Sequence, residues 1–350
     1  MKKLLISLCA VLALVACEKD DANTIKIGAV LPMTGSNAAR GESIRVGMET
    51  AIKDKGETKY KYKIVFEDGQ QQAAKSVSAA QKLISADKVK VLISNTTAVG
   101  RAIAPVAESA NVLNLNATIE KGDAAPMGKT TFFQGPSVDS MHAKAIHAMK
   151  ANKVKSVAVI ASNFGVSCPG AKALANKLNK DGIRATVECF NPGEREFKPL
   201  LDKYKKADAY YISAFPPETD IILRQLYSNN VERSHIYGQG LDASKEHDLH
   251  EDVNHIMPTF GKAEFIERVN PEHNLSDMDL TSRAYDLVSM AIDAFEAVGP
   301  DNMDGVYEYI RNHATRDCMS GTCKLLPNGF IVNEAEWRTY KDGKPVVFEK

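Results

Sequence analysis

The sequence predicts an α/β fold built from two doubly wound lobes. Short apolar segments of strand length alternate with segments of helical periodicity along most of the 350 residues. Such an alternation usually produces parallel sheets with right-handed crossovers. Four strands are predicted in residues 24–116 and four more in residues 156–238, and a chain of this length exceeds what one hydrophobic core usually holds. We therefore expect two similar halves with a cleft between them.

The first half begins with an apolar strand, residues 24–31, which ends at Pro32 and Gly35. Apolar side chains at spacings of three and four residues then form one stripe of a helix over residues 41–55. Residues 60–67 alternate between apolar and polar side chains, as a half-exposed strand does. The other predicted elements are a helix at 73–86, a strand at 89–94, a helix at 99–110 and a strand at 112–116.

The second half repeats this pattern. Its predicted elements are a helix at 138–152, a strand at 156–161, a helix at 169–181, a strand at 183–190, a helix at 196–206, a strand at 208–214, a helix at 218–230 and a strand at 235–238. Beyond Gly240 strands and helices no longer alternate. The sequence predicts a long amphipathic helix that ends at Gly299-Pro300, a second helix at 303–313 and short strand-like pieces in residues 323–350.

The N-terminus has the pattern of an export signal. Lys2 and Lys3 precede an apolar stretch, residues 4–14, that is too short to span a bilayer comfortably. The following Leu-Val-Ala-Cys segment, which ends at Cys17, resembles a bacterial lipobox, in which the cysteine is acylated and becomes the first mature residue. We therefore predict a lipoprotein signal peptide at residues 1–17 and a periplasmic or cell-surface protein anchored to the membrane through Cys17.

The charge balance argues against nucleic acid as a partner. Loss of the two leader lysines from 44 basic residues leaves 42 against 44 acidic residues, a net charge near −2. A chain with this balance has no general attraction to polyanions.

Four cysteines remain after the leader and the lipidated residue, an even number that favours disulfides in an exported protein. Cys168 starts a predicted helix and Cys189 ends the next parallel strand, so both should lie at the cleft end of the second lobe. Cys318 and Cys323 would close a short loop. The alternative is four free thiols that act as small apolar side chains.

In an open parallel sheet, ligands bind beyond the carboxyl ends of the strands, where the strand order reverses. A strand order of 2-1-3-4 in each half selects the loops at 32–40, 95–99, 162–167 and 215–220. Thr96 and Thr97 in the second of these loops precede a helix, whose N-terminal amides favour an anion such as a carboxylate. Simple N-capping by the same side chains is the alternative.

The segment IKIGAVLPMTGSNAARGESIRVGMETAIKDKG, residues 25–56, resembles the start of type I periplasmic binding proteins of the branched-chain amino acid transporter class. Supporting segments follow in the same order and spacing, and the resemblance runs from about residue 24 to residue 350. These segments are FED at 66–68, APVA at 104–107, FFQGPSVD at 132–139, AYDL at 284–287 and DGK at 342–344.

The resemblance implies two lobes joined by three crossovers, with lobe 1 at 18–134 and about 258–325, and lobe 2 at 135–257 and about 326–350. It also implies a monomeric binding protein without enzymatic activity or cofactor. Such a protein holds an amino acid or a similar small carboxylate in the cleft and delivers it to the permease subunits of an ABC importer.

Carried over residue by residue, the resemblance places ligand contacts at Arg40, Thr97, Ala98, Asn116, Thr118, Phe164, Phe215 and Gln239. Two of these depart from the family pattern. Arg40 stands where a tyrosine is frequent in the family and suggests a polar or acidic ligand. Gln239 stands near the position at which the family has an acid that binds the ligand's ammonium group. Asp242 or Glu120 is the expected substitute for that acid, whereas Asp139 is expected to cap its own helix.

Two other kinds of site deserve comparison. The segment GQGLDA at 238–243 matches a dinucleotide-binding fingerprint, but the residues after it are polar and too few for a packed helix. His247, His250 and His255 lie among acidic residues and offer metal ligands, although we interpret this patch as a solvated, charged helix. A ligand-sensing or metal-binding exported lipoprotein without a role in transport is the alternative function.

Overall fold

The structure is a computed structural model that describes residues 23–35, 37–119, 124–163, 167–239, 246–259, 261–273, 275, 277–342 and 344–348. These residues form two sheets with helices on both faces, as the sequence predicts. No helix among them has the length and apolar character needed to cross a bilayer.

The first sheet has eight strands, numbered here in chain order. Across the sheet they are β11 (Arg316–Cys318), β12 (Gly321–Leu325), β13 (Phe330–Asn333), β5 (Thr131–Pro136), β4 (Leu113–Ala117), β3 (Val91–Asn95), β1 (Thr24–Leu31) and β2 (Lys61–Asp68). Its helices are α1 (Ala38–Lys55), α2 (Ala73–Ser85), α3 (Thr97–Ala110), α8 (Ala263–His273), α9 (Met278–Val298) and α10 (Met303–His313).

The second sheet has seven strands. Across the sheet they are β15 (Lys344–Val347), β14 (Ala335–Lys341), β10 (Asn254–Pro258), β9 (Ile236–Gln239), β8 (Ala209–Ser213), β6 (Ser156–Ser162) and β7 (Arg184–Phe190). Its helices are α4 (Val138–Ala151), α5 (Ser167–Lys180), α6 (Lys198–Lys203) and α7 (Glu218–Ser228).

The predicted strand order 2-1-3-4 is confirmed in both lobes. In the first lobe β1 pairs in parallel with β2 on one side and β3 on the other, and in the second lobe β6 does the same with β7 and β8. The order of the strands therefore reverses between β1 and β3 and between β6 and β8. These two reversals set the position of the cleft.

Each sheet is covered on both faces by apolar side chains. In the first lobe, Ile27, Phe132 and Phe295 belong to the core shared with α1, α9 and α10, and a smaller core lies under α2 and α3. In the second lobe, Trp337 packs with α4 and α5, and a separate core faces α6 and α7. Each fully buried large side chain contributes roughly 1.5–3 kcal/mol relative to its exposure, so these cores hold the lobes rigid.

The chain passes between the sheets three times, as expected, after β5, after β10 and after β13. One boundary differs from the prediction. Residues 326–350 were expected in lobe 2, but β13 pairs in parallel with β5 of the first sheet, and only β14 and β15 belong to the second. Phe330 and Ile331 are buried there, and β13 pairs with the side of β5 that would otherwise be an open edge.

Candidate ligand-binding cleft

The N-terminus of α3 lies at the strand reversal of the first lobe, and the side chain of its N-cap residue, Thr96, makes no capping hydrogen bond. Thr96, the residue before the helix, has φ +68° and ψ 143°, and its amide donates to the carbonyl oxygen of Ala117 at 3.2 Å. The first amides of a helix have no acceptor within the helix. Ala98 in this first turn is exposed. The N-capping alternative is therefore not observed, and residues 95–99, the anion loop, present a helix end suited to an anion.

Thr97 and Thr118 are brought together beside this helix end. Their Oγ1 atoms lie 2.8 Å apart, and Thr97 Oγ1 also donates to the carbonyl oxygen of Ile119 at 2.9 Å. With Thr97 Oγ1 donating to Ile119, the Thr118 hydroxyl can donate to Thr97 Oγ1 or to the carbonyl oxygen of Ile119, 3.5 Å away. A carboxylate at the helix end can instead accept a hydrogen bond from the Thr118 hydroxyl while Thr97 keeps its bond to the backbone.

The backbone of Thr118 is held from both sides. Its amide donates to the carbonyl oxygen of Gln134 at 2.9 Å, and its carbonyl oxygen accepts from Arg283 Nη1 at 2.8 Å. A Cβ atom at Gly135 would lie 1.7 Å from that carbonyl oxygen, so only glycine permits this close approach. Arg283 is buried and also bonds the Asp279 carboxylate. Arg283 was not predicted as a site residue, because its contact with Thr118 joins positions that are remote in sequence.

Asn116 is separated from the other predicted contacts. Its side chain is fully buried and donates from Nδ2 to Ser94 Oγ at 2.7 Å. A Cβ atom at Gly100 in α3 would come within 2.7 Å of Asn116 Cγ, which places the amide directly under the helix. Asn116 thus packs beneath α3 against the strand that leads into the anion loop, and its role as a ligand contact stays a prediction.

Arg40 lies in the first turn of α1, and its Nε atom is 3.2 Å from Asp277 Oδ2. Burial and the neighbouring Asp279 raise the pKa of Asp277, whereas Arg40 and Arg283 act in the opposite direction. Arg40, which was expected to face the far end of the ligand, is thus paired with Asp277 just before α9.

Asp68 orients the loop that follows β1. Its carboxylate accepts hydrogen bonds from the Met33 amide at 2.9 Å, from Thr34 Oγ1 at 2.5 Å and from the Gln70 amide at 3.1 Å. Although burial raises the pKa of Asp68, these hydrogen bonds together hold it below its ordinary value. Asp68 therefore holds the loop at 32–40, the other predicted cleft loop of the first lobe, in place.

In the second lobe, Gln239 and Ser213 end the adjacent strands β9 and β8 in register. Gln239 Nε2 donates to Ser213 Oγ at 2.6 Å, and Gln239 Oε1 is buried without a hydrogen-bond partner among the described residues. Phe215, after β8, is 41% exposed. A buried acceptor and a partly exposed aromatic ring thus lie at or just after the carboxyl ends of β9 and β8. Phe164, Glu120, Asp242 and Cys17 lie outside the described residues.

The histidine patch differs from the solvated helix that we expected. His250 is buried in a short 3-10 helix, with Nε2 at 3.1 Å from Asp220 Oδ1, and His255 is fully buried on β10. The side chain of His247 is outside the described part of the structure. The sequence did not indicate that these histidines are buried, because β10 places polar side chains in the interior of the sheet, where a pattern of apolar residues is expected.

Both predicted disulfides are present, Cys168–Cys189 and Cys318–Cys323. Asp286 lies close to the second pair, so that three ligand-type atoms gather within 4.8 Å of one another. The two sulfurs are joined to each other and offer no thiolate, which leaves the carboxylate as the one ordinary metal ligand of that cluster.

The model of the periplasmic binding protein family matches residues 24–334. The chain belongs to the periplasmic binding protein family. Membership makes it a binding protein rather than an enzyme.

Two curated relatives are Leu/Ile/Val-binding proteins. Homolog 3 of Brucella melitensis is 29% identical over 227 residues, which are 62% of this chain and 61% of the relative. BraC3 of Rhizobium johnstonii is 28% identical over 227 residues, 62% of each chain. The match thus spans about three fifths of the length of these relatives.

Solved structures of binding proteins share the fold over nearly the whole chain. The leucine-binding protein LivK of Thermotoga maritima superposes with a TM-score of 0.77 at 22% identity and covers 93% of this periplasmic binding protein and 98% of its own chain. A solute-binding protein of Rhodopseudomonas palustris in complex with 3,4-dihydroxybenzoic acid gives 0.75 at 21% identity, with 93% and 96% covered.

Proposed function

We propose that this periplasmic binding protein is the ligand-binding subunit of an ABC importer and holds a small carboxylate, such as an amino acid, between its lobes. The observation that carries this proposal is the uncapped N-terminus of α3 beside the paired hydroxyls of Thr97 and Thr118. A carboxylate there would accept amide and hydroxyl hydrogen bonds in the field of the helix dipole. A hydrogen bond to a charged group contributes about 1.5–3 kcal/mol, so the site does not require a buried cation.

The second lobe would recognise the other end of the ligand. Gln239 Oε1 is an acceptor for an ammonium or hydroxyl group, and the Phe215 ring provides an apolar surface. The names of relatives support this chemistry, because leucine, isoleucine, valine and 3,4-dihydroxybenzoic acid all carry a carboxylate. Phe164, Ala98 and Arg40 complete the proposed set of contacts, and Arg40 would have to leave Asp277 to reach a ligand.

The proposed test is a thermal-shift panel of amino acids, dicarboxylates, aromatic acids and uncharged amides. A ligand at a hundred times its Kd raises the free energy of unfolding by about 2.7 kcal/mol, which gives a measurable shift in Tm. We expect the largest shifts from carboxylates. A best ligand that lacks any carboxylate would overturn the proposed site.

We further propose that acylated Cys17 anchors the monomeric protein outside the cytoplasmic membrane, where the permease subunits receive the ligand. The lipobox-like segment before Cys17 supports this. Intact mass of the mature protein should show a chain that begins with an acylated Cys17. The variant Cys17→Ser should appear in the soluble fraction, and an unacylated N-terminus at another residue would contradict the proposed anchor.

A further inference from the structure

The start of α1 lies at the carboxyl end of β1, where the strand order of the first sheet reverses. A Cβ atom at Gly41 would come within 2.1 Å of the carbonyl oxygen of Pro32, so the first turn of the helix packs against the residue that follows the strand. Arg40 precedes this glycine, and 39% of its side chain is exposed. The strand order alone, without the family resemblance, therefore places Arg40 at the edge of the cleft.

The start of α9 lies beside the same edge of the first sheet. Arg283 in this helix donates from Nη1 to the carbonyl oxygen of Thr118 at 2.8 Å, and its Nη2 bonds the Asp279 carboxylate. Asp277 immediately precedes the helix and forms the ion pair with Arg40. Two ion pairs with no net charge thus extend from the start of α1 to Thr118.

Asp277 occupies the N-cap position of α9, but its side chain makes no capping hydrogen bond. Aspartate is among the preferred N-cap residues because its carboxylate usually accepts from amides of the first helical turn. In this structure the carboxylate is turned toward Arg40 instead, with Oδ2 at 3.2 Å from Nε. The position of the Asp277 side chain is therefore explained by its pairing with Arg40 and not by capping of its own helix.

This pairing changes what Arg40 presents to a ligand. An arginine without a partner would attract a second acidic group of the ligand. With Asp277 in contact the pair is neutral, and an acidic ligand would have to displace the Asp277 carboxylate. That carboxylate would remain partly buried near Asp279 without its partner, which is unfavourable. Burial and Asp279 already raise the pKa of Asp277 although Arg40 is present, so its surroundings disfavour the isolated charge.

We propose that Asp277 is a specificity-determining residue that neutralises Arg40 and directs the site to monocarboxylates with an uncharged side chain. The inference rests on the proposed function, because it concerns the far end of a ligand whose carboxylate lies at the anion loop. It narrows the expectation drawn from Arg40, a polar or acidic ligand, to the uncharged kind. The group that the protein rejects is a second carboxylate, for which Asp277 is a built-in competitor.

Titration calorimetry of the full-length protein near neutral pH tests this role with two matched pairs of probes. Glutamate and glutamine form one pair, succinate and its monoamide the other, and the members of each pair differ only in the second carboxylate. The wild type should bind each monoamide about tenfold more tightly than the diacid. Asp277→Asn should bind the diacids about tenfold more tightly than the wild type does and should change the monoamides by less than about twofold.

Two further variants separate a role in specificity from a merely structural one. Asp277→Glu retains the carboxylate and should keep the preference of the wild type. The double variant Arg40→Gln with Asp277→Asn should lose the gain for the diacids, because the cation that Asp277→Asn exposes is absent. Asp54→Asn is the matched control, since Asp54 also lies on α1 but pairs with Arg268 at the far end of that helix. It should leave the preference unchanged.

A wild type that prefers the diacids, an Asp277→Asn variant with the wild-type preference, or a gain that persists without Arg40 would overturn the proposal. If Asp277→Asn does not fold, Asp277→Ser, which keeps a favoured N-cap residue, is measured in its place against the same outcomes. If the monoamides bind and their advantage does not depend on Asp277, only this inference fails. If no carboxylate in the thermal-shift panel binds, the proposed function fails with it.

Discussion

Thr97 Oγ1 lies 2.8 Å from Thr118 Oγ1, and the two residues are the first of α3 and the one just after β4, 21 positions apart. Both hydroxyls stand beside a helix end whose N-cap residue, Thr96, makes no capping hydrogen bond through its side chain. Arg283 and Gln134 hold the Thr118 backbone in place, so the geometry of this pair is set before any ligand arrives. Such preorganisation reduces the entropy that binding would otherwise cost.

Replacing Thr97 by valine should weaken carboxylate binding. Valine keeps the shape of the side chain but removes the hydroxyl that bonds Thr118 and the Ile119 carbonyl. We expect a loss of roughly 1–3 kcal/mol, measured by titration calorimetry with the best carboxylate from the thermal-shift panel. Thr97→Ser, which retains the hydroxyl, should bind within about twofold of the wild type. Equal affinity of the valine variant would remove Thr97 from the site.

Replacing Gln239 by glutamate should favour ligands that carry an amino group. The unpaired Oε1 of Gln239 would become part of a full negative charge, which strengthens a hydrogen bond from an ammonium group. We expect the affinity for an amino acid to rise by about tenfold or more relative to the same acid without its amino group. Gln239→Leu serves as the control and should weaken both. An equal rise in affinity for the amino acid and for the same acid without its amino group would show that Gln239 does not face the amino group.

Stability should fall as the pH is lowered because His255 is buried in its neutral form. Burial, with the nearby His250 and Arg338, lowers the pKa of His255 to about 3, against about 6.5 in an unfolded chain. Between these values the unfolded state binds a proton that the folded state does not, so unfolding is favoured as the pH falls through that range. The slope for one such group reaches about 1.4 kcal/mol per pH unit.

His255→Gln should therefore flatten the dependence of Tm on pH between about pH 6.5 and pH 5. His235→Gln is the control, since that histidine lies at the surface with 51% of its side chain exposed, and it should keep the wild-type profile. Parallel profiles for His255→Gln and the wild type would contradict the assignment to His255.

Removing the disulfide Cys168–Cys189 should lower stability without changing the fold. The bond closes a loop with a sequence separation of 21, for which the chain-entropy model gives about 3 kcal/mol. Denaturant unfolding of the double variant Cys168→Ser with Cys189→Ser measures the loss. A change below about 0.5 kcal/mol would mean that this bond does not constrain the unfolded chain as the model assumes.

Much of the fold follows from hydrophobic periodicity, and the elements that were not predicted have identifiable causes. β5 ends in Gly135 and Pro136, which have low strand propensity, yet the glycine is needed for the close approach to Thr118. β10 contains Asn254 and His255, polar residues that the fold buries with hydrogen bonds or ring contacts. Local pattern cannot anticipate either case, because the cause lies in a remote partner.

The candidate site was predictable to the level of loops but not of side chains. Strand order and the resemblance together select the anion loop and Thr118. They do not show that Asn116, opposite Ser94 in the sheet register, turns its side chain under α3. The roles of Arg283 and Asp286 could not be predicted from the sequence for a different reason. Both interrupt the polarity pattern of a long buried helix, and the contacts of Arg283 with Thr118 and of Asp286 with Met319 span more than 30 residues.

In the proposed site, the helix end at Thr97 binds the carboxylate of the ligand. The most direct measurement is titration calorimetry of the best carboxylate against its own primary amide, which has nearly the same shape but no charge. We predict that the amide binds about 100-fold more weakly, a difference of about 2.7 kcal/mol. An amide that binds as tightly as the acid would contradict the claim.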